Sequence, residues 1–222
     1  MDISNLIQTV LIYALPVLFA ITVHEAAHGY AARHFGDNTA YMMGRITLNP
    51  LKHIDPVGTI LMPLLLVFAT SGAFVLGYAK PVPVNFGNLR NPKRDMIWVA
   101  LAGPASNFAQ AIAWAALFFV LSSMNLEEMF FIAVAKAGVT TNLLLWAFNL
   151  FPVPPLDGGR ILVGVLPWKQ AHAVSRIEPW GFFIVLGLAL AGVLSTIWMQ
   201  PLQALGIGAI NLLLTPLTAL LR

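Results

Sequence analysis

Long apolar stretches without charge dominate the chain and predict helices that cross a lipid bilayer. Residues 6–23 contain no ionisable side chain. As a helix they would extend about 27 Å at about 1.5 Å per residue, close to the roughly 30 Å of a bilayer's hydrocarbon core. Four more apolar stretches follow, at residues 96–121, 129–150, 179–199 and 202–221. The pattern predicts an all-α polytopic membrane protein with about five to six transmembrane helices.

Shorter segments interrupt this pattern and predict pieces that do not cross the membrane. Residues 57–70 are apolar over about 14 positions only, which favours a re-entrant segment over a full span. Residues 41–48 and 74–84 predict a small membrane-associated β-ribbon, in which Pro81 limits the second strand to an edge. Residues 151–159, FPVPPLDGG, cannot form a regular helix because their three prolines lack backbone donors.

Composition agrees with a membrane protein and excludes several other classes. Hydrophobic residues make up 59% of the chain, charged residues 9%, and the mean hydropathy is +0.80. The chain has no cysteine, so disulfides, thiolate nucleophiles and cysteine-bound metals are excluded. The net charge of +3 comes from basic residues spread through short loops, which argues against nucleic-acid binding. We expect one domain over residues 1–222, embedded in the bilayer; nothing in the sequence indicates its oligomeric state.

A polar cluster at the end of the first apolar stretch carries the clearest chemistry. The sequence there is His24-Glu25-Ala26-Ala27-His28. Histidines four positions apart share one face of a helix, so both imidazoles can reach one cation. The glutamate next to the first histidine is placed to take a proton from a metal-bound water. The spacing indicates a zinc hydrolase, and the apolar context indicates hydrolysis below the membrane surface.

A third ligand is needed, and His34 is a misleading candidate. HEAAHGYAARH places His34 where the HExxHxxGxxH pattern has its last histidine, but Ala31 stands where that pattern has glycine. Without a turn the helix continues, and at about 100° per residue His34 lies roughly 120° around the helix from His28. We therefore expect His34 to be an interfacial residue outside the metal site.

Asp157 is the better third ligand. It follows an apolar helix and stands among prolines and glycines that expose its side chain. Two histidines and one carboxylate leave a fourth zinc position open for water. The alternative is that Asp157 caps the next short helix. For His53 and Asp55 a turn or capping role is expected, and for His172 a solvated position.

Three motifs together resemble the site-2 protease family of intramembrane zinc metalloproteases. They are HEAAH at residues 24–28, GPASN at 103–107 and NLFPVPPLDGG at 149–159. GRITLNPLKHIDPVGT and AKPVPVN further resemble the compact prokaryotic branch, which has no PDZ or CBS domain. The resemblance covers nearly the whole chain and implies a multi-pass protein of a bacterial or archaeal cell membrane.

The resemblance implies specific roles for six residues. His24, His28 and Asp157 would bind Zn²⁺, and Glu25 would be the general base and later proton donor. Asn107 and Asn149 would position substrate or stabilise the oxyanion; the alternative for both is hydrogen bonding between helices. The implied partners are proteins whose transmembrane segments are cleaved, in regulated intramembrane proteolysis.

Charge distribution sets the orientation of the metal site. The two histidines and Asp157 can meet only if residues 57–79 re-enter, because a full span would place them on opposite sides. Re-entry also places ten basic residues on one face: Arg33, Arg45, Lys52, Lys80, Arg90, Lys93, Arg94, Arg160, Lys169 and Arg176. By the positive-inside rule that face is cytoplasmic, so we expect the active site to lie toward the cytosol.

Two other functions are compatible with the same ligands. A membrane metal transporter would need polar groups that continue across the bilayer, whereas here they concentrate at one depth. A catalytically silent protein that binds membrane helices would have no need of Glu25, which this chain retains.

Overall fold

Helices account for nearly all regular structure in this protein. The computed structural model describes residues 3–69, 77–124 and 129–220. In that part of the chain the α-helices are α1 Ile3–His34, α2 Thr39–Met42, α3 Met62–Ala69, α4 Pro92–Ser123, α5 Met129–Asn149, α6 Asp157–Val165, α7 Trp168–Ser175, α8 Glu178–Leu190 and α9 Gln200–Leu220. Wider π-helical turns precede two of them, Pro56–Leu61 before α3 and Leu194–Met199 before α9.

Four helical stretches of the described chain are long and apolar enough to cross a membrane. They are Ile7–His34, Pro92–Ser123, Met129–Asn149 and Leu194–Leu220. A fifth span results if α7 and α8, which are bent by 67° relative to each other, cross as one broken helix. The predicted all-α polytopic class is confirmed, with four to five candidate spans where about five to six were expected.

The predicted boundary between the last two spans is wrong. A helix over residues 179–199 was expected, but α8 ends at Leu190 and Leu194–Met199 runs on into α9. Gly192 has a φ of +73° and its N–H donates to the carbonyl of Ala189. Glycine adopts this left-handed conformation without the steric cost of a side chain, and it commonly ends a helix. The sequence is apolar on both sides of Gly192, so its hydrophobic pattern does not indicate the break.

Helix α4 lies at the centre of the bundle and packs against α1, α5, α6 and α9. Its small residues Ala111 and Ala115 contact Leu143 of α5 and Ile210 of α9 in an apolar core. Small side chains let neighbouring backbones approach closely, which is how helices pack in lipid. Large apolar residues cover the outside, as expected for a surface that faces acyl chains.

Residues that precede α3 and residues that follow it come together. The N–H of Tyr78 donates to the carbonyl of Gly58, and the hydroxyl of Thr59 donates to the carbonyl of Tyr78. Residues 58–59 and 78 therefore lie side by side. The intervening part of the predicted re-entrant segment, residues 70–76, lies outside the described residues.

The predicted β-ribbon is not confirmed, since the described residues contain no strand. In its first half, residues 41–48, the chain begins in the last turn of α2 and then passes through turns. Arg45 Nη2 donates to the carbonyls of Lys80 and Pro81. A side chain thus makes the contact between the two segments that a ladder of backbone bonds would make in a ribbon.

The second half of the predicted ribbon, residues 74–84, is described only from residue 77; residues 77–84 are extended but do not pair with another strand. The amides of Tyr78, Lys80 and Val82 donate to Gly58, to His53 and to a side chain of α1, respectively. N–H groups of a strand alternate between its two edges, so the three amides that donate lie on one edge. On the opposite edge Pro81 and Pro83 have no N–H. Neither edge can support a regular ladder. We call residues 77–84 the extended segment.

Candidate metal centre

The two histidines of HEAAH project from α1 into the middle of the bundle. Helix α1 continues without interruption to His34, and both His24 and His28 are buried. Gly103 of α4 lies directly against them: a Cβ at that position would be 2.3 Å from His28 Nε2. Only glycine allows α4 to approach the imidazoles this closely.

Asp157 meets the histidines from the opposite side. Its Oδ2 lies 3.2 Å from His24 Nε2 and 3.3 Å from His28 Nε2, and the two Nε2 atoms are 3.0 Å apart. All three ligand atoms lie within 4.8 Å of one another. Asp157 is the first residue of α6, directly after the proline-rich break that the sequence predicted. In the described structure its side chain faces the histidines and does not cap α6.

The other ring nitrogens fix the tautomers of both histidines. His24 Nδ1 is 2.6 Å from the side-chain oxygen of Asn107, and His28 Nδ1 is 2.7 Å from the carbonyl of Val99. Carbonyl oxygens only accept hydrogen bonds, so each Nδ1 carries the proton. Each Nε2 then presents a lone pair toward the other and toward a carboxylate oxygen.

This arrangement fits a metal ion. Asp157 Oδ2 is buried and has no hydrogen-bond donor, although a buried acceptor left unpaired is costly. Three converging electron pairs without a proton between them are what a cation needs. The donor set, two imidazoles and one carboxylate, is that of catalytic zinc sites, and the second ring nitrogens are held by acceptors as zinc-binding histidines require.

Glu25 lines a cleft beside the three ligands. The cleft has a volume of about 610 Å³, and its walls include His24, His28, Asp157 and most of the extended segment. Glu25 Oε2 accepts a hydrogen bond of 2.6 Å from the N–H of Val82 in that segment. The carboxylate is thus held at the cleft by backbone, next to the point where the three ligand atoms converge.

Chain-wide similarity decides the family. Residues 12–192 match the model of peptidase family M50. The protein belongs to that family, the site-2 protease family. The M50 chain is thereby identified as a zinc metallopeptidase, and His24, His28 and Asp157 are the residues that could hold the zinc.

Relatives agree with this membership. YwhC of Bacillus subtilis, by its name a candidate zinc metalloprotease, is 37% identical over 182 residues, which cover 78% of this chain and 78% of the relative. Rip2 of Mycolicibacterium smegmatis, named in the same way, is 31% identical over 180 residues, covering 80% of this chain and 66% of the relative. No solved structure matches the M50 chain.

The two asparagines expected at the M50 site lie in different environments. Asn149 lines the cleft, where its Nδ2 donates one hydrogen bond to the carbonyl of Leu145. Asn107 is fully buried behind His24 and does not line the cleft. Its Nδ2 donates to the carbonyl of Ala20 and to Asn142 Oδ1. Of the two asparagines, Asn149 lines the cleft and Asn107 contacts the imidazole of His24.

Sequence reasoning missed Asn142, which completes this network. It is fully buried on α5, and its Nδ2 donates to the carbonyl of Gly138. A line of hydrogen bonds therefore runs from His24 through Asn107 to Asn142 and ties α1, α4 and α5 together. The available signal was an amide in the middle of an apolar helix, where a polar group needs a partner.

The remaining candidates lie outside the M50 site. His34 and His172 are exposed. His53 is buried in a loop, where its Nε2 is 2.9 Å from the carbonyl of Thr47. Asp55 caps the helical turn that follows it, accepting from the amides of Val57 and Gly58. The expected capping role of Asp55 is confirmed.

Proposed function

We propose that this M50 protein hydrolyses peptide bonds within or near the transmembrane segments of other membrane proteins, as in regulated intramembrane proteolysis. One observation carries the proposal. The candidate metal ligands His24 and His28 lie on Ile7–His34, a helix long and apolar enough to span a membrane. A hydrolytic centre on such a helix meets its substrate at membrane depth.

The cleft supports a polypeptide substrate in an extended conformation. It is large enough for a short stretch of chain, and the extended segment forms one wall. A carbonyl in a helix is hydrogen-bonded to an amide four residues on and shielded by side chains, so a substrate helix must unwind before it can react. Polar side chains among the lining residues, such as Tyr78, Asn149 and Arg160, can hydrogen-bond to the backbone groups that unwinding exposes.

The chain's own residues account for the proton transfers of peptide hydrolysis. Zinc bound at the site supplies a Lewis acid for the scissile carbonyl and lowers the pKa of water. Glu25 takes the proton from the attacking water and delivers it to the leaving amine. The N–H of Val82 holds the carboxylate in place for both transfers.

Asn149 is suited to stabilise the oxyanion that forms on the substrate carbonyl. Its amide has two N–H donors, of which one is used within α5 and the other is available in the cleft. A donor fixed before the reaction costs no reorganisation when charge develops. Asn107, which is buried, supports the metal ligand His24 instead.

We further propose that residues 57–79 re-enter and that the site lies toward the cytoplasm. The contact between Tyr78 and residues 58–59 supports re-entry, because both ends of the segment lie together. The basic loops also meet at one end of the bundle: the N–H of Arg90 donates to the carbonyl of Phe35, and Lys93 Nζ to the carbonyl of Leu166. By the positive-inside rule this end is cytoplasmic.

The test is cleavage by purified protein of a panel of membrane-helix substrates reconstituted in lipid vesicles. We expect wild-type cleavage to stop with a chelator and to return with zinc. Glu25→Gln should bind zinc and not cleave. His28→Ala should lose both zinc binding and cleavage. The matched control is His34→Ala, at an exposed histidine further along α1, and it should keep both.

Two outcomes contradict the proposal. Cleavage that survives Glu25→Gln would remove the general base from the mechanism. Zinc flux across vesicles by the wild type, without cleavage of any substrate, would favour a metal transporter.

A further inference from the structure

A second, apolar pocket adjoins the catalytic cleft and has no role in the chemistry described above. It has a volume of about 270 Å³. Its outer walls are Met62 of α3 together with Phe182 and Val185 of α8. None of the residues that line it carries a charge. We call it the lateral pocket.

The lateral pocket shares part of its wall with the cleft. Tyr78, Phe148 and Leu156 line both the pocket and the cleft. Leu156 directly precedes the candidate ligand Asp157, so a shared wall residue is adjacent in the chain to a candidate ligand. A group that enters the pocket can therefore belong to a chain whose backbone lies in the cleft.

The apolar walls of the lateral pocket favour an apolar occupant. An apolar cavity gives water few hydrogen-bond partners, so filling it with an apolar group is favourable. Its volume accommodates one large apolar side chain. A lipid tail is the competing occupant, but the shared walls connect the pocket to the place where peptide backbone must lie for cleavage. Pockets beside an extended peptide are a common source of side-chain specificity.

We infer that the lateral pocket is a specificity subsite that accepts a large apolar side chain, of the size of leucine or phenylalanine, from a substrate residue close to the scissile bond. The inference rests on the proposed protease function. It makes cleavage selective for a position in the substrate helix where such a residue can swing out of the unwound chain. Glycine, alanine and charged residues at that position fill the pocket poorly or not at all.

The experiment compares substrates that differ at single positions around the scissile bond, each carrying alanine, leucine, phenylalanine or tryptophan. For the wild type we expect one position at which leucine or phenylalanine raises kcat/KM about 10-fold or more over alanine. Val185 is buried at 5% exposure in the wall, so Val185→Phe should fill the pocket. That variant should lose the preference, mainly by losing kcat/KM on the phenylalanine substrate.

Two further variants separate a filled pocket from a damaged fold. Ile184→Phe also introduces phenylalanine, at the neighbouring position of α8. Ile184 is 39% exposed and lines neither cavity, so this variant should keep the wild-type preference. Val185→Ala enlarges the pocket and should move the preference toward tryptophan. A shift in opposite directions for Val185→Phe and Val185→Ala cannot come from general loss of stability.

Distinct results overturn the inference and the function on which it rests. Equal cleavage of all substrates by the wild type, or an unchanged preference in both Val185 variants, refutes the subsite and leaves the protease function standing. If Val185→Phe loses a co-purified lipid and keeps its selectivity, the pocket binds lipid, and the subsite is refuted as well. Absence of any Glu25-dependent cleavage refutes both.

Discussion

At the scale of single residues, the candidate metal ligand His24 is oriented by buried asparagines that do not line the cleft. His24 faces the candidate metal position with Nε2 because its Nδ1–H donates a hydrogen bond to Asn107 Oδ1, and Asn107 Nδ2 donates in turn to Asn142 Oδ1. A ligand whose ring is fixed in the right tautomer binds metal without a cost in lost rotational freedom. Asn107 and Asn142 should therefore act on zinc affinity.

Asn107→Ala should weaken zinc binding about 10- to 100-fold, the usual effect of removing a hydrogen-bond partner of a metal ligand. Asn142→Ala should have a smaller effect in the same direction, because it removes the hydrogen-bond acceptor of Asn107 Nδ2 and leaves the Asn107 side chain in place. Titration against a chromogenic zinc chelator measures both. Asn211→Ala, which removes an exposed asparagine from α9, is the matched control. Wild-type affinity in Asn107→Ala would show that the contact does not orient His24.

The position of Glu25 depends on a backbone donor, which a proline can remove. Val82→Pro deletes the N–H that donates to Glu25 Oε2 in a segment already extended between two prolines. We expect a loss of about 10-fold or more in kcat with zinc content unchanged, because the carboxylate loses its orientation. Val82→Ala keeps the N–H and removes side-chain contacts only. If both variants lose the same activity, the side chain of Val82, and not its amide, is what matters.

At the scale of elements, one buried carboxylate joins the end of α1 to the end of the extended segment. Asp37 is fully buried and accepts hydrogen bonds from the amides of Thr39 and Asn85 and from Asn88 Nδ2. Burial alone would raise the pKa of Asp37, but the hydrogen bonds from Thr39, Asn85 and Asn88 outweigh it and lower the pKa below the ordinary 3.8. The charged carboxyl therefore stabilises the fold.

This contribution has a defined pH dependence. Because the pKa is lower in the folded state, the stabilisation is complete above pH 3.8 and is lost as the pH falls through the folded-state value. Asp37→Asn should lower stability at pH 7 by about 1–3 kcal/mol. The difference in melting temperature between variant and wild type, measured with chelator to remove effects of zinc, should shrink below pH 3.8. A constant difference at all pH values would mean that Asp37 acts through packing.

The same comparison of elements shows what the sequence could predict. The convergence of His24, His28 and Asp157 was predictable because a four-residue spacing fixes one helix face and the proline-rich break frees one acid. The predicted β-ribbon is not confirmed, because alternation of residue types cannot reveal that Arg45 donates hydrogen bonds to the carbonyls of the extended segment. Asn142 was missed since one sequence does not show which faces of two apolar helices meet.

At the scale of the whole molecule, the bundle has two chemically different ends. Basic loops gather at one end of the bundle, where the N–H of Arg90 donates to the carbonyl of Phe35 and Lys93 Nζ donates to the carbonyl of Leu166. Helix α4 leads from this end to Ser123, 30 residues from Lys93 and about 45 Å away at about 1.5 Å per residue. We therefore expect positions near Ser123 and positions near Lys93 to lie on opposite sides of the membrane.

Absence of cysteine makes this orientation directly measurable. Single cysteines can be introduced at two exposed residues: Ser123 at the end of α4, and Lys169 in α7, next to Trp168, over whose ring Lys93 Nζ lies. We expect a membrane-impermeant maleimide to label Ser123→Cys in intact cells and Lys169→Cys only after the membrane is permeabilised, because the positive-inside rule keeps the basic end in the cytoplasm. Each variant should retain chelator-sensitive cleavage, which shows that it is folded. The reverse labelling would place the metal site toward the outside, and a substrate helix would then have to be cut near its outer end.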